Sequence, residues 1–217
     1  FGLNNRGLAK VYLEGLVINK PVVYVTYSDR KHSIADILQI LSKTNSEIYF
    51  INRKKDNYVS QINQFNEIIK KSKPNSLFYY SKPEDVVGVT ILNMYKGIIK
   101  RFLINLTDHT FWLGAQSIDY CIEFRDYGAN VSKYYRGIDD SRIVKLPYYP
   151  FINKALSFEG YPFEYNDKSL IIFSGGALYK TFGANGTFYK MVEHFLKHYD
   201  NTIFWYAGNG DSSELNK

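Results

Sequence analysis

The sequence predicts an α/β fold: a doubly wound, Rossmann-like parallel sheet flanked by helices, followed by the first βαβ unit of a second sheet of the same kind. Three observations carry this. Apolar runs of strand length alternate with helix-period segments along most of the 217 residues. Successive strands are joined through helices, which calls for parallel pairing and right-handed crossovers. At 45% hydrophobic and 17% aromatic residues the chain can bury such a sheet, and disorder is excluded.

Residues 8–17 read as a helix that hands into a buried strand at 22–27 (VVYVTY). An amphipathic helix over 33–41 starts at His32-Ser33, and 47–51 (EIYFI) is the second strand. Residues 57–71 form a helix with Val59, Ile62, Phe65, Ile68 and Ile69 on one stripe. Pro74-Asn75 ends it before the third strand, 77–80 (LFYY). Ser81-Lys-Pro-Glu-Asp is a helix start: Ser81 as N-cap, Pro83 in the first turn, then two acids favoured by the helix dipole. That helix runs to about Lys96 and stops at Gly97. The fourth strand is 100–106 (KRFLINL), with a short helix over 110–117; the fifth is 120–124 (YCIEF), with a helix over 129–136. The sixth is 142–146 (RIVKL).

Beyond Leu146 the rhythm fails. Residues 1–150 therefore form the first domain and 151–168 a linker, because so long a structureless stretch is unusual inside one domain. Residues 169–217 read as the incomplete start of a second: strand 169–173, a Gly-rich loop over 174–186, helix 187–199, strand 202–206 and a turn at 208–210. Two strands and one helix cannot bury both faces of a sheet, so the reading expects the chain to continue past Lys217. It also expects a further strand ahead of the first helix.

The formal charge of +6 suits an anionic ligand or an acidic membrane surface. It does not by itself indicate nucleic acid, and the tyrosines are spread along the chain with no stacking platform. No apolar run reaches the roughly 18 to 20 residues of a membrane span. The single cysteine, Cys121, lies between Tyr120 and Ile122 and reads as a buried core residue. A reducing cytoplasm is the simplest location, with peripheral contact at the inner membrane face as an addition. The basic runs Arg53-Lys54-Lys55 and Lys70-Lys71-Ser72-Lys73 read as solvated faces, with acidic lipid as the alternative partner.

In open parallel sheets the ligand crevice lies beyond the carboxyl ends of the strands. His32 follows the first strand, Asp108 and His109 the fourth, and Arg125 and Asp126 the fifth. Gly175, Gly176 and Lys180 follow the seventh, and Asn209 the eighth. The segment 105–114 (NLTDHTFWLG) is the densest in chemistry, since an Asp-His pair at a strand end can act as, or orient, a general base. The competing reading has Thr107 or Asp108 capping the short helix, with Phe111 and Trp112 packed beneath. His32 reads as a solvent or capping residue as well as a cleft candidate. Ser174-Gly175-Gly176 can cradle a phosphate through backbone N–H groups or serve as an ordinary βα turn. His194 and His198 are spaced for a metal but lack an acidic companion, and read as surface residues near a helix C-terminus.

Residues 105–114 and 120–128 (YCIEFRDYG) look like the late strands of the N-terminal domain of GT-B glycosyltransferases, particularly the bacterial group-one kind. Residues 169–180 (SLIIFSGGALYK) and 204–210 (FWYAGNG) resemble the opening βαβ of their donor domain. The resemblance implies transfer of a sugar from a nucleotide-sugar to a glycan or lipid-linked acceptor, metal-independent and without a cofactor other than that co-substrate. It implies Asp108 or His109 as base and Gly175, Gly176 and Lys180 at the donor phosphates. An Arg expected soon after the first glycine is absent, with Gly176 and Ala177 in its place. The paired glutamates that hold the donor would lie beyond Lys217. The alternative is a non-catalytic Rossmann-like module that binds a nucleotide or a sugar. An NAD-dependent enzyme is disfavoured, because no strand is followed by Gly-x-Gly-x-x-Gly with a distant acid.

Overall fold

Two helix starts show how local chemistry sets the frame. Asn57 accepts the Ser60 N–H at 2.8 Å and Asp85 accepts the Gly88 N–H at 3.1 Å, each satisfying a donor the helix cannot. The computed structural model describes residues 8–18, 20–27, 35–51, 57–80, 83–105, 108–147 and 157–213. The chain divides into two units, Phe1–Asn153 and Lys154–Lys217.

The first unit runs α1 (Leu8–Val17), β1 (Val23–Thr26), α2 (Ala35–Leu41), β2 (Glu47–Phe50), α3 (Tyr58–Ser72) and β3 (Ser76–Tyr79). It continues α4 (Val86–Met94), β4 (Lys100–Ile104), β5 (Tyr120–Glu123), α5 (Asp126–Tyr134) and β6 (Ile143–Lys145). All its pairings are parallel: β1 with β2, and β3-β4-β5-β6 in that order. The α/β class and the order of strands and helices agree with the sequence reading.

Leu13 and Val17 of α1 pack with Ile37, Ile40 and Leu41 of α2 over Tyr24 of β1. A second cluster joins Leu92, Leu103, Trp112, Ile118, Cys121 and Ile138, and a third Ile69, Ile91 and Ile99. Of the α3 stripe, Ile62, Phe65 and Ile69 pack inward, while Val59 is exposed. Phe78, Phe102 and Tyr120 sit in register on β3, β4 and β5, their rings stacked at 4.8 and 5.2 Å.

Two local expectations are corrected. The α4 helix starts at Asp85, four residues past the expected cap; Ser81 lies outside the described residues. A helix begun at Ser81 would bond the Pro83 carbonyl to Val87, but that carbonyl accepts the Leu113 N–H at 3.0 Å. The helix expected over 110–117 shrinks to one 3₁₀ turn, Ala115–Ser117. The backbone it needs is taken: Arg136 binds the Thr110 carbonyl at 2.8 Å, and the Leu113 N–H goes to Pro83.

The second unit holds β7 (Leu170–Ala177), α6 (Thr187–His198) and β8 (Thr202–Asn209), with the strands parallel. The first four residues of the expected Gly-rich loop are strand: β7 runs to Ala177 and carries Gly175 and Gly176 in register with Ala207 and Gly208. The reason is close approach, since a Cβ on Gly208 would fall 2.1 Å from the Gly176 carbonyl oxygen.

Arg101 of β4 is buried. Its Nε and one terminal nitrogen bind Asp119 at 3.0 and 2.5 Å, and its other terminal nitrogen binds the Leu92 carbonyl at 3.0 Å. These bonds hold the Asp119 carboxyl below its usual range, with burial opposing them. Asp119→Ala leaves a buried cation unpaired, and the expected loss in a urea titration is about 3–5 kcal/mol. A depressed folded pKa means that this contribution is complete above the ordinary carboxylate range and disappears as pH falls through the folded value. The stability gap between wild type and variant should therefore close in acid.

Candidate functional site

The carboxyl ends of β4 and β5 bring together the densest polar cluster among the described residues. Glu123 ends β5 with 0% exposure, so its carboxylate must find donors inside the protein. Oε1 accepts the Asn105 amide at 2.8 Å, the Cys121 thiol at 3.3 Å and the Ser132 hydroxyl. Oε2 has no hydrogen-bond partner among the described residues and faces Gly128 on α5, where a Cβ would lie 2.4 Å away. The same Cβ would lie 3.0 Å from the Asp108 Cβ, so Gly128 lets α5 close over both acids. Burial, then the Glu123 charge, push the Cys121 thiol far up, so it is no nucleophile.

Asp108 follows β4 and is 1% exposed. Arg125 grips it with two bonds, Nε to Oδ2 at 2.5 Å and the terminal nitrogen to Oδ1 at 2.9 Å. His109 Nδ1 lies 3.3 Å from Oδ1. The Arg125 bond is the main reason the Asp108 carboxyl sits below its usual range; burial opposes it and His109 adds to it. An ionised carboxylate only accepts, so His109 Nδ1 carries the hydrogen of that bond. Arg136 braces the loop from below. It donates to the Asp108 carbonyl at 2.7 Å, to Thr110 at 2.8 Å and to the Ser132 hydroxyl at 3.0 Å, with its guanidinium 5.0 Å over the buried Trp112 ring. Burial lowers the Arg136 pKa, and Glu123 partly offsets that.

His109 and Arg125 form the open lip, with side chains 70% and 52% exposed. The site is thus an exposed imidazole and guanidinium on a buried floor of two carboxylates. Asp108 is not a helix cap, and of the two aromatics only Trp112 packs beneath; Phe111 is exposed.

The remaining predicted residues fall elsewhere. Asp126 turns away to Lys145, 2.9 Å distant, and stands outside the cluster. His32 lies outside the described residues. Gly175 and Gly176 are strand residues of the second unit; Lys180 is exposed at the end of the 3₁₀ turn Leu178–Lys180, just past β7. Asn209 is the last residue of β8, exposed opposite Ala177. His194 and His198 are exposed with their rings stacked at 4.1 Å. Among the described residues, no three or more His, Cys, Asp or Glu are grouped to hold a metal, and no helix is long and apolar enough to cross a membrane.

Sequence reasoning missed Asn105, Glu123, Ser132 and Arg136. Glu123 did carry a signal: an acid in the apolar run YCIEF of a buried strand needs internal donors.

No protein-family model and no curated protein matches the chain. Two solved structures share its fold. A Staphylococcus aureus MnaA–UDP co-structure aligns at 10% identity and TM-score 0.52 over 93% of this chain and 58% of its own. A Listeria monocytogenes protein assigned as a UDP-N-acetylglucosamine 2-epimerase aligns at 13% identity and TM-score 0.55 over 95% and 60%. The chain therefore spans less than two thirds of either. The likeness is one of fold, GT-B-like and Rossmann-like, and does not single out the group-one glycosyltransferases.

Two outcomes follow from the geometry. Arg125→Ala removes the bond that lowers the Asp108 pKa and leaves its burial, so carboxyl NMR should show Asp108 titrating at higher pH. Gly128→Ala forces a methyl group against two buried acids and should cost about 1–3 kcal/mol in thermal or urea unfolding.

Proposed function

We propose that this chain carries the acceptor-side domain and the opening of the donor-side domain of a nucleotide-sugar glycosyltransferase. The observation that carries the reading is the Asp108–His109 pair, held by Arg125 at the carboxyl end of β4 in a GT-B-like fold. The UDP and UDP-N-acetylglucosamine named for the two neighbours support a nucleoside-diphosphate sugar as the ligand.

In this reading His109 Nε2 takes the proton of the acceptor hydroxyl as its oxygen bonds to the sugar's anomeric carbon. The bond from that carbon to the diphosphate breaks, and the nucleoside diphosphate leaves with the electron pair. Asp108 orients the ring through Nδ1 and stabilises the imidazolium that forms. The leaving diphosphate gains one negative charge as that bond breaks, and fixed cations stabilise it most readily. Lys180 is the donor-side candidate. Gly175 and Gly176, committed to the strand ladder, contribute the close packing that sets where β7 ends. The acceptor is a glycan or a lipid-linked sugar, and contact with an anionic membrane would suit the latter.

A second reading has a specific observation behind it. Of the two solved structures of similar fold, one holds UDP and the other is named a UDP-N-acetylglucosamine 2-epimerase, which favours isomerisation of the nucleotide-sugar itself as the alternative to its transfer.

The test uses the full-length protein with UDP, UDP-glucose and UDP-N-acetylglucosamine, separating binding by calorimetry from product analysis. The transferase reading expects glycosylated acceptor, with His109→Ala lowering turnover about 10²–10⁴-fold at nearly unchanged UDP affinity. Unchanged turnover would remove His109 from the mechanism. An epimerised nucleotide-sugar without acceptor would establish the second reading, and UDP binding with no turnover the non-catalytic module.

A further inference from the structure

The loop that follows His109 is pinned at three successive points. Arg136 donates to the Thr110 carbonyl at 2.8 Å, and its guanidinium lies 5.0 Å over the buried Trp112 ring. The Leu113 N–H reaches the Pro83 carbonyl at 3.0 Å. Side chains on this segment alternate. Trp112 turns inward to pack with Leu92, Leu103 and Ile138, while Phe111 and Leu113 on either side of it are exposed, Phe111 by 78%.

A single exposed aromatic is ordinary on a protein surface. The place of this one is not. Phe111 stands two residues from His109, so their Cα atoms are at most about 7 Å apart. The other aromatics of the lip are occupied, since Phe124 and Tyr127 carry the Arg125 guanidinium at 5.1 and 5.2 Å. Among the described residues no ring and no cation lies against Phe111. The ring is thus open, held in position by its neighbours, and beside the exposed imidazole.

The ligand that suits such a ring is apolar on a flat face and polar around its edge. A pyranose has that form: C–H bonds project from its faces and hydroxyls lie at its rim. With one face stacked on Phe111, a rim hydroxyl is left to His109. An alkyl chain asks for an enclosed apolar channel instead. Phe111 lines neither the cavity beside α1, β1 and β3 nor the one beside β2 and α3. A second copy of the chain would need an interface of about 1,000 Å², and the apolar surface here is one ring with Leu113 beside it.

We propose that Phe111 selects the acceptor: it is a stacking platform for a pyranose ring and presents one of that ring's hydroxyls to His109. The inference rests on the transferase reading and narrows it. The acceptor group is a sugar hydroxyl, and no part of a lipid carrier is required for its recognition. Because the strap is fixed before the sugar arrives, little ordering entropy is lost on binding. Stacking is the same in ground and transition states, so Phe111 sets the acceptor KM and leaves kcat alone.

The test pairs transfer by the full-length protein to methyl pyranosides of glucose, galactose, mannose and N-acetylglucosamine with saturation-transfer NMR of the same sugars. Phe111→Ala should raise the acceptor KM about 10- to 100-fold, with kcat within about threefold and UDP affinity unchanged. Phe111→Tyr and Phe111→Trp should keep KM near the wild-type value. Phe111→Leu should behave as the alanine variant, because it keeps apolar area and loses the flat ring. Saturation in the wild type should favour the hydrogens of one pyranose face and vanish in Phe111→Ala. The assignment is overturned if the alanine variant keeps its acceptor KM, if leucine serves as well as phenylalanine, or if kcat falls at constant KM. A change of oligomeric state in Phe111→Ala also overturns it, giving the ring to a contact between copies. Failure of the transferase reading looks different: no transfer occurs, yet one-face saturation is present and is lost in Phe111→Ala.

Discussion

The candidate site depends on one buried carboxylate. Glu123 ends a strand at a point sealed from water, and an anion there is tolerable only with donors converging on it. Asn105 arrives from just past the end of β4, Ser132 from the last turn of α5, and Cys121 from the same face of β5. Three elements are thereby fixed to one oxygen atom. Arg136 then couples that knot to the surface loop, donating both to Ser132 and to the carbonyls of Asp108 and Thr110. The position of the exposed lip follows from the satisfaction of the buried floor.

Element order was legible because it rests on periodicity, a property of local sequence. The run VVYVTY and the apolar stripe of residues 57–71 need no distant partner to be read. What was not legible depends on tertiary competition for backbone groups. Nothing in Ser81-Lys-Pro-Glu-Asp indicates that Leu113 will claim the Pro83 carbonyl and push the helix start to Asp85. Nothing in 110–117 indicates that Arg136 will take the Thr110 carbonyl. In Ser174-Gly-Gly176 the glycines are ambiguous in sequence, serving a phosphate loop or two close strands equally well. The register of Gly175 and Gly176 against Ala207 and Gly208 puts them in the strand ladder.

The site was half legible for a related reason. Asp108, His109 and Arg125 follow strands directly, where the crevice rule looks first. Asp126 and Arg125 are adjacent in sequence and follow the same strand, yet only Arg125 turns to Asp108, while Asp126 pairs with Lys145. Side-chain direction at a helix start is a tertiary outcome. Of the residues that were missed, Glu123 and Ser132 lie within a strand and a helix and Asn105 and Arg136 just past such elements, where a polar side chain reads as a surface residue until its contacts are known.

The geometry also divides the work between the two residues that sequence reasoning treats alike. A general base works best with a pKa near the operating pH, and Asp108 is driven the other way by the two-pronged grip of Arg125. Both of its oxygens are engaged, and at 1% exposure it has almost no surface to offer an acceptor hydroxyl. His109 differs in access: its ring is exposed while its Nδ1 is turned to Asp108. In the proposed reaction, therefore, Asp108 is the positioning group and His109 the group that touches the substrate. The cost of holding Asp108 ionised beneath the surface is met by Arg125, whose own guanidinium lies over the Phe124 and Tyr127 rings at 5.1 and 5.2 Å. Those rings restrict where the guanidinium can go, and so keep the carboxylate, and the imidazole above it, in one orientation.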